Sequence, residues 1–209
     1  MVTLGITGSI GAGKSTATAW FAKKGAVVVE ADKVAKEILS TRLDIQRRLK
    51  EAFGSGILDT EGRVDFASLA KVAFADAGSQ QILNGLIHPP VLENLQQRRE
   101  LAASRQERLF VVDAPLIFEA GLEQNLDAVI VVVAPLEIRY ARVSQRSGLG
   151  WEDFKRRDNL QLPQEDKAQR ADYVVHNDGD KPHLEHQLEK IFQQLMTRFP
   201  ELQSGDISR

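Results

Sequence analysis

Eight residues near the start constrain this chain more than any other stretch: Gly8-Ser9-Ile10-Gly11-Ala12-Gly13-Lys14-Ser15. They fit the pattern G-x-x-x-x-G-K-[ST], with an apolar, β-prone run before them (Val2–Thr7) and a helical pattern after them. Glycines permit positive φ and let successive backbone N–H groups converge on phosphate oxygens. The helix beginning near Lys14 adds the partial positive charge of its N-terminus. Lys14 is expected to reach the β- and γ-phosphates, Ser15 to ligate Mg²⁺, and Thr16 to help hold the α-phosphate. A chance match in a chain this long is on the order of one in a hundred. A Gly-rich strand-to-helix turn of no special function would not need a lysine and a hydroxyl in this order.

The rest of the chain reads as the scaffold for such a loop. Short β-branched runs alternate with longer helical patterns, the signature of βαβ units and a parallel sheet covered by helices on both faces. The strand candidates are Val2–Thr7, Ala26–Glu30, Leu109–Asp113, Asp127–Val133 and Tyr173–His176. Several are apolar at every position, as strands buried on both faces are. Helices are expected over about 14–24, 32–39, 42–53, 66–74, 136–145, 151–160 and 183–199. A long pair over 79–105 is expected to break at His88-Pro89-Pro90, because proline disfavours helix in the residue before it. Residues 200–209 read as a frayed end. The expected organisation is a P-loop core (about 1–39, 106–139 and 171–209), a helical substrate-binding insertion (about 40–105) and a lid (about 140–170).

Composition excludes several classes. The 209 residues carry a formal net charge of -2, without the basic excess of a nucleic-acid binder. Cysteine is absent, so there are no disulfides or thiolate metal sites. The longest apolar run, 128–135, is far too short to span a bilayer, and the first residues do not read as a signal peptide. A cytoplasmic protein without nucleic-acid or membrane partners is expected.

Outside the loop, several side chains are candidates for chemistry. Asp32 follows the second strand, where a carboxylate orients an acceptor hydroxyl and takes its proton, or else caps the next helix. Arg139, Arg142 and Arg146 fall on one helical face, either closing over a polyphosphate or forming a solvated face paired with Glu137, Glu152 and Asp153. Asp113, at the end of a strand, sits where a carboxylate helps hold Mg²⁺. His88 either contacts substrate or simply separates two helices.

At this point the sequence resembles the dephospho-CoA kinase family. The resemblance rests on Gly5 to Thr16, Glu30-Ala31-Asp32, Ile87-His88-Pro89, Asp113 to Glu119, Arg142 with Arg146, Arg157 to Gln161, and Ala171-Asp172 through Asn177 and Gly179. It implies an ATP- and Mg²⁺-dependent kinase that phosphorylates the ribose 3′-hydroxyl of dephospho-CoA. It also implies that Asp32 is the base, that Arg142 and Arg146 are lid arginines on the phosphates, that His88, Pro115, Leu116 and Phe118 lie near the substrate, and that Asn177 lies near the adenine. Glu30 stands where the family usually has Asp, and Ser147 where an Asp is common. Rival readings from the residues alone are another small-molecule kinase, or a nucleotide-dependent switch without an acceptor.

Overall fold

A computed structural model describes residues 1–203. The strands are β1 (Val2–Thr7), β2 (Val27–Glu30), β3 (Leu109–Asp113), β4 (Ala128–Val133) and β5 (Tyr173–His176). They form one sheet in the order β2-β3-β1-β4-β5, with every neighbouring pair parallel. The chain leaves central β1 toward the β2 edge, returns through β3, and then crosses to β4 and β5. Reversals of this kind leave a crevice at the carboxyl ends of the central strands, where ligands bind in open α/β sheets.

The helices are α1 (Lys14–Lys23), α2 (Ala31–Thr41), α3 (Leu43–Phe53), α4 (Phe66–Ala73), α5 (Ala77–Ser104), α6 (Leu136–Ser147), α7 (Trp151–Asp158), α8 (Gln164–Arg170) and α9 (Lys181–Arg198). Two compact units result: 1–30 with 101–209, and 31–100.

In the first unit β1 and β4 are buried at every position, which is why they read as continuous apolar runs. One sheet face packs Leu4, Ile6, Val111 and Ile130 against Phe21 of α1 and Leu188 and Phe192 of α9. Trp20, Phe21 and Phe192 meet edge to face, with ring centroids 5.1 to 6.2 Å apart. Each large side chain buried in this way stabilises by about 1.5–3 kcal/mol.

The second unit is helical. Val34, Ile38, Ile45, Leu49, Ile57, Leu69, Ile87, Val91 and Leu95 are its main buried side chains. Here the structure corrects one expectation: α5 runs unbroken through Pro89 and Pro90. The two prolines forfeit two backbone donors, but Ile87, Val91 and Leu95 lie four residues apart on one face, each only 7% exposed. Burying that stripe outweighs the local preference for a break.

Two smaller differences concern helices. Residues 164–170, read as part of a lid, form α8, and Pro200–Leu202 is a short 3₁₀ turn with Leu202 buried. The remainder of the frayed end, 204–209, lies outside the described residues. Among those described, no helix is long and apolar enough to cross a membrane.

Candidate active site

The loop from Gly8 to Gly13 joins β1 to α1 at the carboxyl edge of the sheet. It is closed by the Ala12 N–H donating to the Ser9 carbonyl at 3.0 Å. Three walls press on its glycines. A Cβ on Gly8 would strike the carbonyl oxygen of Val132, one on Gly11 the carbonyl oxygen of Arg139, and one on Gly13 the Asn177 amide. Gly13 also has φ of 101°, so both space and backbone conformation demand glycine there. Gly13 precedes α1 and offers no side-chain cap, and the first turn of α1 carries no acidic residue. Its leading N–H groups and positive dipole end are therefore directed at the loop, an arrangement suited to an anion.

Lys14 and Thr16 are half-buried and Ser15 is exposed, all in the first turn of α1. Thr18, one turn further, donates to the carbonyls of Lys14 and Ser15 at 3.2 and 3.1 Å, fixing that turn from below. Asp113 ends β3, in register with Ile6 of β1 and with Glu30 of β2. Ser15 and Asp113 supply hard oxygen donors, the chemistry Mg²⁺ takes. Among the described residues no group of three or more His, Cys, Asp or Glu could cage a metal.

Asn177 follows β5 directly, its N–H donating to the Val133 carbonyl at 2.7 Å. Its buried side-chain amide donates to the Ala12 carbonyl at 2.7 Å, and its Oδ1 accepts from Arg142 Nη2 at 3.3 Å. Asn177 thus lies against the phosphate loop itself. Arg142 Nη1 is buried and has no hydrogen-bond partner among the described residues. A buried guanidinium N–H in this state, beside Gly13, has capacity for one more acceptor.

The three arginines of α6 stand in different environments. Arg139 is only 5% exposed and turns inward. It makes a two-pronged pair with Asp158 of α7 at 2.5 and 3.1 Å, donates to the Ile10 carbonyl at 3.3 Å, and lies over the Phe154 ring. It braces the loop and α7 and does not face solvent. Arg146 is exposed. The surface pair within α7 is Arg156 with Asp153. Ser147 turns its hydroxyl back to the Val143 carbonyl at 2.8 Å.

Asp32 lies in the first turn of α2, one residue inside the helix start, so the helix begins before it. A carboxylate at this end is favoured by the helix dipole. His88 is half-buried within α5, and burial lowers its pKa from the usual 6.5. Beyond β3, Pro115 and Leu116 are half-buried, whereas Phe118 is buried with the Arg170 guanidinium 4.6 Å above its ring.

Sequence reasoning missed Lys167 and the roles of Glu119 and Asp158. Lys167 is fully buried, its ammonium donating to the Pro115 carbonyl at 2.6 Å and pairing with Glu119 at 2.9 Å. No residue type or spacing marks a lysine on a short polar helix as buried; only the packing of α8 reveals it.

A parallel sheet in this order, with a glycine-walled phosphate loop leaving its central strand, defines a P-loop protein of the kinase type. The sequence profile of the dephospho-CoA kinase family matches residues 2–183. A dephospho-CoA kinase of Deinococcus radiodurans is 42% identical over 192 residues, 92% of this chain and 91% of that protein. A crystal structure from Thermus thermophilus superposes with a TM-score of 0.78 at 35% identity, covering 95% of this chain and 97% of the other. The structure of dephospho-CoA kinase from Campylobacter jejuni does so with a TM-score of 0.67 at 27% identity, over 94% and 98%. The chain belongs to the dephospho-CoA kinase family.

Proposed function

We infer that this chain transfers the γ-phosphoryl group of ATP to the ribose 3′-hydroxyl of dephospho-CoA, giving coenzyme A and ADP. The observation that carries this reading is the walled loop at residues 8–13, in a chain whose family match spans nearly its whole length.

In this reading the loop amides of Gly8, Gly11, Ala12 and Gly13 cradle the phosphates with Lys14, Ser15 and Thr16. Ser15 and Asp113 would hold Mg²⁺, which would supply charge neutralisation on the phosphates. Asp32 aligns the acceptor hydroxyl and receives its proton. An aspartate is a weak base, but in a loose transition state the proton leaves late and positioning dominates. Arg142 and Arg146 meet the charge that spreads over the transferring group. The family resemblance assigns His88, Pro115, Leu116 and Phe118 to acceptor binding. Asn177, placed against Ala12, shapes the nucleotide-binding loop.

The direct test mixes the protein with MgATP and dephospho-CoA and follows products by ³¹P resonance or mass. One equivalent of ADP per equivalent of coenzyme A is expected. ADP release that ignores dephospho-CoA but responds to another small alcohol would reassign the acceptor. Slow hydrolysis unaffected by any acceptor would point to a nucleotide switch.

A further inference from the structure

α8 holds the turn after β3 from both of its ends. Lys167 and Arg170, three residues apart and hence on one helical face, grip two successive parts of that turn. Lys167 takes the Pro115 carbonyl at 2.6 Å and the Glu119 carboxylate at 2.9 Å, while Arg170 covers the Phe118 ring and pairs with Glu123 at 2.6 Å. The Pro115 carbonyl also accepts from the Thr7 hydroxyl at 3.2 Å, so the same oxygen ties the turn to the residue just before the phosphate loop. Glu119 in turn accepts the Leu162 N–H at 2.8 Å, which anchors the chain entering α8. Thr7, Pro115, Lys167, Glu119 and Leu162 thus form one hydrogen-bonded chain linking β1, the turn and α8.

A fully buried lysine is costly, and its desolvation is offset only if the cation is well paired. Burial lowers the Lys167 pKa, the Glu119 carboxylate opposes that shift, and the Lys14 charge adds to it. An apolar residue would fill the volume at lower cost. The cation here holds the carbonyl of Pro115, at the chain's exit from Asp113.

We propose that Lys167 is a positioning residue for phosphoryl transfer, fixing the turn of Pro115, Leu116 and Phe118 on the acceptor side through the Pro115 carbonyl and the Glu119 carboxylate. The role rests on the function inferred above.

The test uses the full-length protein carrying Lys167→Met, Lys167→Met with Glu119→Gln, or Glu119→Gln alone. The first leaves a carboxylate buried without its cation and is expected to lower Tm, which the double variant largely restores. With Tm restored, kcat/KM for dephospho-CoA is expected to stay reduced by about 10- to 100-fold, while the Kd for MgATP stays within about twofold of wild type. A double variant whose kcat/KM recovers along with its Tm overturns the proposal, because the lysine is then structural only. So does an equal loss of nucleotide affinity and acceptor turnover. Should both Lys167 variants fail to fold, Glu119→Gln decides. It keeps the shape but weakens the grip on the ammonium, so a loss of about three- to tenfold in kcat/KM at unchanged MgATP affinity is expected, and wild-type constants overturn the role. A wild-type protein giving no ADP in response to dephospho-CoA overturns the inferred function and the acceptor-side role together. An active wild type matched by an equally active double variant overturns the role alone.

Discussion

The side-chain amide of Asn177 donates to the carbonyl of Ala12 at 2.7 Å, joining the end of β5 to the phosphate loop that leaves β1. The two residues are 165 positions apart in sequence and both buried. The bond connects an edge strand to a loop on the central strand, bypassing β4 between them. The same amide stands where any side chain on Gly13 would have to go.

Two substitutions probe this contact from opposite sides. Asn177→Ala removes the donor and leaves the Ala12 carbonyl buried without it, with an expected loss of about 1–3 kcal/mol in stability and a weaker grip on MgATP. Gly13→Ala should be worse for the nucleotide, since it drives a methyl into Asn177 at a φ few L-residues adopt. Nucleotide titration calorimetry and thermal melts check both, and tight MgATP binding by Gly13→Ala would contradict the packing described.

Asp32→Ala is expected to cut kcat by about 10²–10⁴-fold, the range of a positioned general base, while MgATP affinity stays near wild type. Lys14→Ala should lower turnover by a similar factor and weaken nucleotide binding as well, because in the proposed mechanism that ammonium serves both ground and transition states. Steady-state kinetics with both substrates varied separates the two patterns. Near-normal turnover by the Asp32 variant would remove that residue from the mechanism.

Arg139 predicts a stability effect in place of a phosphate effect. Arg139→Ala strands Asp158, whose side chain is 15% exposed, and withdraws support from the Ile10 carbonyl. Breaking one side of a buried pair typically costs about 3–5 kcal/mol. Chemical denaturation should show a loss of this order. Replacing both partners with apolar residues of similar volume should recover much of it, whereas no such recovery is expected for Arg142 variants in nucleotide binding.

His88 gives the second unit a pH dependence of definite sign. Burial lowers its pKa below 6.5, so the unfolded chain takes up the proton more readily than the folded one. More protons bound in the unfolded state means that stability rises with pH. The contribution is therefore complete above about pH 6.5 and is lost as the pH falls from there through the folded-state pKa. Thermal melts of wild type and His88→Asn between pH 5 and 8 should diverge in slope only on the acid side.

What sequence reading recovered follows from the kind of signal involved. The phosphate loop and the five strands are local patterns: a glycine string between a strand and a helix, and β-branched runs buried on both faces. The unbroken α5 was illegible because Pro89 and Pro90 argue locally for a break, and only the packing of Ile87, Val91 and Leu95 overrules them. The α6 arginines look alike in sequence, yet Arg139 is sorted from Arg142 by Asp158 on another helix. Lys167 and Asn177 depend on partners 52 and 165 residues away, and no spacing rule reaches that far. Asp172, legible only as part of a motif, turns out to extend the sheet edge, accepting the Val129 N–H at 2.9 Å and pairing with Arg198 at 2.7 Å.

Complete burial of β1 has a consequence for how the loop meets its ligand. A strand flanked on both sides and covered on both faces belongs to the last part of a domain to open, so the loop hung from it inherits a rigid mount. Val132, Arg139 and Asn177 wall its curvature. A loop mounted in this way incurs little ordering entropy when a ligand associates with it.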